Sequence, residues 1–176
     1  MVAWPWFAYR PKKFNFFALS LGAIIADLEV PILWFFVDDS WKARGLMHSL
    51  LGAVTIDLII VVLATIYIVP KVLGYLDRKI ENKTVFKFAG VDLREHKSNA
   101  KVIIFSTLIG TLSHLLLDAL HHPYNPITYP IEKYYSFNLI LFNDLHLANI
   151  TIGLVTGISL FLMLYFWYFR NLLTQN

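Results

Sequence analysis

The chain contains no cysteine, which excludes disulfides and thiolate ligands and leaves only nitrogen and oxygen to hold any metal. It is also poor in charge. Only 15% of its residues are Asp, Glu, Lys or Arg while 57% are hydrophobic, against about 25% charged in an ordinary soluble domain. A polar stripe is missing too. A soluble four-helix bundle needs one on every helix, yet four segments, roughly 14–37, 45–74, 99–122 and 145–169, are apolar nearly all round. Each supplies the about 20 residues that a hydrocarbon core requires. These absences point to a multi-pass protein of the cell membrane, an all-α integral four-helix bundle in which residues 1–176 form a single transmembrane domain.

What charge there is lies unevenly. Lys12 and Lys13 before an apolar run to Ala26 imitate a signal peptide. The run resumes at Val30, however, and Ile24 suits the position three before such a cut poorly, so the segment is expected to stay as the first span. Of the 15 basic residues, Arg10, Lys12 and Lys13 precede that span. Lys71, Arg78, Lys79, Lys83, Lys87, Arg94, Lys97 and Lys101 flank or fill the link between the second and third, and Arg170 follows the fourth. Only Lys42, Arg44 and Lys133 fall on the other side. By the positive-inside rule both termini and the link are cytoplasmic. Asp77, Glu81, Asp92 and Glu95 interrupt the basic link, which argues against nucleic acid and for membrane lipid headgroups as its partner.

The connecting segments carry their own signals. Trp4, Pro5, Trp6, Phe7 and Tyr9 suit the headgroup level. VFKFAGVDL, within the link, reads as a short strand pair or a surface turn. PYNPITYPIEKYYSFNLILFND, rich in Pro, Tyr and Asn, is expected as an outer loop or re-entrant cap. Gly153 and Gly157 form a G-x-x-x-G spacing in the fourth span, expected to serve packing inside the bundle rather than a homodimer.

The remaining ionisable residues gather in one layer. With this topology, Asp27 and Glu29 lie in the outer half of the first span, and His48 lies at the outer start of the second. His114, Asp118, His121 and His122 occupy the last turns of the third, in GTLSHLLLDALHH, and Asp144 and His146 open the fourth. Five of the six histidines thus share a level that sequence order did not require. On an ideal helix His114, Asp118, His121 and His122 fall within a stripe about 100° wide, and His114 and Asp118, four apart, can reach one ion. Asp27 and Glu29 are about 200° apart, but Pro31 deletes a hydrogen bond to the carbonyl of residue 27 and is expected to kink or open the helix there, aiming both acids inward. Each charge at a helix centre costs about 2.5–3.5 kcal/mol on the insertion scale. A divalent cation with mixed His and carboxylate ligands offsets that cost, with zinc the first candidate; a hydrogen-bonded network without metal is the alternative. His121 and His122 are either solvated or additional ligands, and His146 is either a further ligand or, with Asp144, part of the start of the fourth helix. His96 reads as surface. Asp57, about 13 Å deeper than His48, is left out of the site and expected to pair with Ser or Thr hydroxyls.

Three blocks carry a family resemblance. ADLE at 26–29, RGLMHSLLG at 44–52 and GTLSHLLLDAL at 110–120 resemble the P-D-[IL]-[DE], H-R-G-x-T-H-S and G-x-x-[ST]-H-L-x-L-D blocks of membrane-bound metal-dependent hydrolases of the LexA-regulated inner-membrane type. That group is distantly like zinc-dependent phospholipase C and P1 nuclease. Ala26 stands where the pattern has proline, and Ala43 where it has the first histidine. The resemblance implies Asp27, His48, His114 and Asp118 as metal ligands and Glu29 as a ligand or base. Glu29 is chosen as the general base. The resulting expectation is a metal-dependent hydrolase acting on a phosphoester or lipid-linked substrate near the outer face. A metal-ion transporter or carrier and a non-catalytic assembly subunit are its rivals.

Overall fold

The computed structural model describes residues 4–37, 43–88, 91–95, 98–131 and 139–173. Lys42, His96, Lys97 and Lys133, with the rest of 132–138 in the expected outer loop, lie outside the described residues. The fold is mostly helical. Three helices, Leu50–Lys79, Ala100–His121 and Leu145–Tyr165, are long and apolar enough to cross a membrane, and a bent pair in the first 33 residues makes up to four.

The bent pair departs from the single helix expected over 14–37. After a short helix α1 (Trp4–Tyr9), α2 runs from Phe16 to Gly22. The chain then breaks at Ala23 and Ile24, makes a 3-10 turn over Ile25–Leu28 and continues as α3 (Glu29–Leu33). The two halves meet at 47°. Pro31, expected to cause the bend, sits inside the first turn of α3, where its missing N–H would have had no helical partner anyway. The new helix forms around the proline, and the break falls upstream of it.

The second span starts with a 3-10 turn over Leu46–His48 and is a chain of pieces: α4 (Leu50–Val54), α5 (Ile56–Leu63), a π-helical turn (Ala64–Ile68) and α6 (Val69–Lys79). It reaches five residues past the expected end at 74. Ser49 caps α4 by accepting from the Gly52 amide at 3.0 Å, and the Leu50 amide donates to Ile127 O at 3.0 Å, tying the segment after the third span to the start of the second. That third span, α7 (Ala100–His121), matches its expected bounds within one residue and is capped by Asn99, which accepts from the Val102 amide. The fourth, α8 (Leu145–Leu173), is capped by Asp144, which accepts from the amides of His146 and Leu147 at 2.8 and 3.1 Å.

The end of the fold that carries the link is sealed by rings. VFKFAGVDL does form a strand pair, β1 (Lys87–Phe88) and β2 (Val91–Asp92), antiparallel with Phe88 opposite Val91. Phe88 is fully buried against Phe7, Phe16 and Trp167, with ring centroids 5.0–5.9 Å apart. Trp4 and Phe7, expected at the headgroup level, are buried in the same cluster. Arg94 pairs with Asp92 and Asp77 beside it; its guanidinium holds the Asp92 carboxyl below the usual range.

Close packing occurs elsewhere than expected. A Cβ at Gly153 or Gly157 would meet nothing within 4 Å, so this pair does not pack inside the described bundle. Leu154 and Phe161 on the same helix are 62% and 68% exposed, as side chains facing lipid would be. The close approach is between α2 and α7, where a Cβ on Gly110 would lie 2.5 Å from Leu19 O and one on Gly22 would lie 2.8 Å from Thr107 O. Asn15 fastens the same pair, with its amide donating to Ser106 Oγ at 2.8 Å and its side chain to Ser98 Oγ at 3.1 Å.

Gly110→Ala is therefore expected to force α2 and α7 apart at a cost of about 1–3 kcal/mol, while Gly153→Ala leaves stability unchanged. Unfolding of the two variants in detergent by heat or denaturant checks this; equal stability would contradict the close approach.

Candidate metal centre

Four donor atoms from three segments converge at the end of the fold away from the link. His48 Nε2 lies 3.8 Å from Asp27 Oδ1 and 3.7 Å from Asp118 Oδ2. His114 Nε2 lies 3.5 Å from Asp27 Oδ1 and 3.6 Å from Asp118 Oδ2. These separations are too long for hydrogen bonds. They lie at or slightly beyond the about 3.3–3.6 Å that separates ligand atoms around a tetrahedral cation with bonds of about 2.0–2.2 Å.

The hydrogen bonds on the far side of each ring fix what the near side offers. His48 Nδ1 is 3.1 Å from Glu29 Oε2, and His114 Nδ1 is 3.0 Å from Ala23 O. A carboxylate and a carbonyl only accept, so both Nδ1 atoms carry a proton, and in the neutral rings the lone pairs lie on Nε2. Both Nε2 atoms are buried without a hydrogen-bond partner, an arrangement that costs about 1–3 kcal/mol each if nothing binds them. Two imidazole lone pairs facing two carboxylate oxygens suit a divalent cation, and N and O donors suit zinc among others.

The backbone explains the convergence. At the break after α2, the Asp27 amide bonds Ile24 O at 3.2 Å instead of Ala23 O, and the carbonyl so released takes the His114 proton. The 3-10 turn then swings Asp27 toward both rings, and α3 brings Glu29 behind His48. The turn opens upstream of Pro31 rather than at it and brings Asp27 toward the two rings, while Glu29 lies behind His48 instead of facing the site with it.

Glu29 does not stand where a general base would. Its Oε2 accepts from the Gly45 amide at 2.9 Å as well as from His48, and Oε1 accepts from the Met47 amide at 3.3 Å. It is held on the Nδ1 side of the ring, away from the converging donors, and pins the segment that carries His48. His146 is also placed apart: it is exposed on the first turn of α8 and belongs to neither group of clustered donors. Asp144 only caps that helix. Asp57 is buried and near enough to His48 and Glu29 to interact with both electrostatically, and neither of its oxygens has a hydroxyl or other hydrogen-bond partner among the described residues.

His121 and His122 stand beside the four donors. With Asp118 they form a second group whose ligand atoms lie within 4.8 Å of one another, next to the group of Asp27, His48 and His114. A cavity of about 280 Å³ connects them, lined by Asp27, His114, Asp118, His121 and His122 and closed on one side by Ile152 and Thr156 of α8.

Arg44 was missed as a site residue. Its side chain is 9% exposed and its Nε lies 3.4 Å from Asp118 Oδ2, while Nη2 is 2.9 Å from His122 Nε2. The sequence held a signal: Arg44 opens the block containing His48, and it is one of three cations placed on the acid-rich side.

The family described as Domain of unknown function (DUF4184) matches residues 2–172. No curated protein and no solved structure matches the chain.

If Glu29 orients His48, Glu29→Gln is expected to weaken cation binding about 10- to 100-fold without removing the site. Competition against a chromophoric chelator measures it, and an unchanged affinity would refute the orienting role. The chain belongs to the DUF4184 family.

Proposed function

We propose that this DUF4184 member is a metal-dependent hydrolase embedded in the cell membrane, acting on a phosphoester or other lipid-linked substrate near the outer face. The observation that carries the reading is the pair of buried, unpartnered Nε2 atoms on His48 and His114, each 3.5–3.8 Å from oxygens of Asp27 and Asp118. Zinc is the first candidate. Bound there, it supplies Lewis-acid polarisation of a phosphoryl or acyl oxygen and acidification of a water.

The chain's own residues divide the remaining work. Glu29 and Ala23 O hold the two rings in their tautomers. His48, His114 and Asp118 would hold the ion and leave one position for water, and Asp27, whose side chain is 57% exposed and which lines the cavity, is the group placed to accept that water's proton in place of Glu29. Ile152 and Thr156 give the cavity a wall on the helix whose apolar face is open, which suits an amphiphile entering from the lipid side. The orientation rests on the charge distribution, and the choice of a phosphoester rests on the family resemblance.

Transport fits less well, because it needs polar groups along the whole path. Below the site, the hydroxyls of α7 are turned to structural use: Thr107 back-bonds to Ile103 O at 3.0 Å and Ser106 accepts from Asn15. A purely structural subunit gives no reason for two orphaned imidazole nitrogens.

His114→Ala, purified without chelator, is expected to lose bound metal by elemental analysis and to lose hydrolysis of a chromogenic phosphodiester in micelles. Zinc should restore chelator-treated wild type but not the variant. Full metal content in the variant sinks the assignment, and zinc flux in vesicles would favour the carrier instead.

A further inference from the structure

Asp118 faces two ways. Its Oδ2 is 3.7 and 3.6 Å from the Nε2 atoms of His48 and His114, while Oδ1 is 3.7 Å from His122 Nε2. His121 donates its Nδ1 proton to Leu117 O at 2.6 Å, because a carbonyl can only accept, and so keeps a lone pair on Nε2. Its ring lies beside that of His122, with centroids 4.0 Å apart. Asp118, His121 and His122 can thus each direct one ligand atom to a common point, and all three line the same cavity as Asp27 and His114.

We propose that Asp118, His121 and His122 form a second divalent-cation position, that Asp118 bridges it to the first, and that Arg44 is the resident cation a second ion must displace. The proposal rests on the first cation position of the hydrolase reading. Arg44 makes the competition concrete. Its Nη2 donates to His122 Nε2 at 2.9 Å, the lone pair the ion would use, and its Nε lies beside the carboxylate the ion would share. A guanidinium stays protonated at any working pH, so it cannot vacate its charge; it must move. His122 Nε2 has one lone pair, which Arg44 now takes, so the position is filled by Arg44 or by the ion, not both. A substrate with anionic oxygens in the cavity would draw the guanidinium toward itself, so filling of the second position is coupled to occupation of the cavity.

The test is cation stoichiometry in full-length, tag-free protein in detergent. Zinc is followed by equilibrium dialysis and manganese by the electron paramagnetic signal, which reports spin coupling when two ions share a bridge. Wild type is expected to bind one equivalent tightly and a second more weakly. Arg44→Gln is expected to tighten the second by about 10-fold or more, as removal of a unit charge about 4 Å away implies, and to strengthen the manganese coupling. His121→Ala, or His121→Gln if the first does not fold, should retain the first equivalent and lose the second. The retained equivalent is itself evidence of folding. One equivalent in both wild type and Arg44→Gln overturns the second position and leaves the first standing, and a second equivalent that survives in His121→Ala also overturns it. No bound cation in any form overturns the first position and this one with it.

Discussion

Inside a membrane a backbone carbonyl that loses its helical partner finds no water to replace it, and the break after Gly22 creates one at Ala23. The arrangement at the far end of the fold follows from how that carbonyl is satisfied. His114 gives its Nδ1 proton to Ala23 O at 3.0 Å, which fixes the tautomer and turns the Nε2 lone pair toward Asp27 and Asp118. The same break frees residues 25–28 to wind as a tighter turn, and that turn points Asp27 at both imidazoles. A continuous helix through this stretch would close the Ala23 carbonyl and leave His114 without its orienting partner. It would also carry Asp27 and Glu29 to opposite faces. One missing helical hydrogen bond thus sets the protonation of a ring and the direction of two carboxylates.

For His114 to reach that carbonyl, α7 must lie unusually near α2. Gly22 and Gly110 permit it, each standing where a methyl group would collide with the backbone of the other helix. Without a hydrophobic force between helices in lipid, such contacts rest on van der Waals packing and interhelical hydrogen bonds, and Asn15 adds the latter through Ser106 and Ser98. The ring cluster around Phe88 closes the link end of the same pair and joins α1, α2 and α8 to the small hairpin. Packing at one end therefore holds the register that the donors at the other end need.

The sequence disclosed those parts of this arrangement that depend on regular periodicity. His114 and Asp118 lie on a regular helix, so their common face could be read from spacing, and the third span appears nearly where expected. Pairing of the first span's acids was legible as well, because a proline near two otherwise opposed carboxylates demands some interruption. The position of that interruption was not. A proline suits the first turn of a helix as well as the point where one fails, and only the packing of Gly22 on Gly110 decides between them. The pair Gly153 and Gly157 had the more recognisable spacing, yet spacing says nothing of what lies opposite. The place of Glu29 is hidden for a related reason: sequence puts it near His48 but does not say on which side of the ring, and that side separates a base from an orienting group. Arg44 was discounted by a charge count that treats each cation as a topological marker.

The two outcomes for an intramembrane His and carboxylate cluster, an ion-pair network or a metal site, differ in where the protons are. In a network, each imidazole shares an Nε2 proton with a carboxylate, and the contacts shorten to about 2.7–2.9 Å. Here each ring donates its Nδ1 proton on the opposite side, to Glu29 from His48 and to Ala23 O from His114, and the Nε2 to carboxylate separations stay at 3.5–3.8 Å, longer than such contacts. Glu29 can hold His48 in this way because the Gly45 and Met47 amides already fix both of its oxygens. Glu29, itself held by two backbone amides, fixes the Nδ1 proton of His48 and so directs the Nε2 side of the ring at Asp27 and Asp118. The negative partner behind the ring raises the donor strength of the nitrogen in front, which suits that nitrogen to a cation.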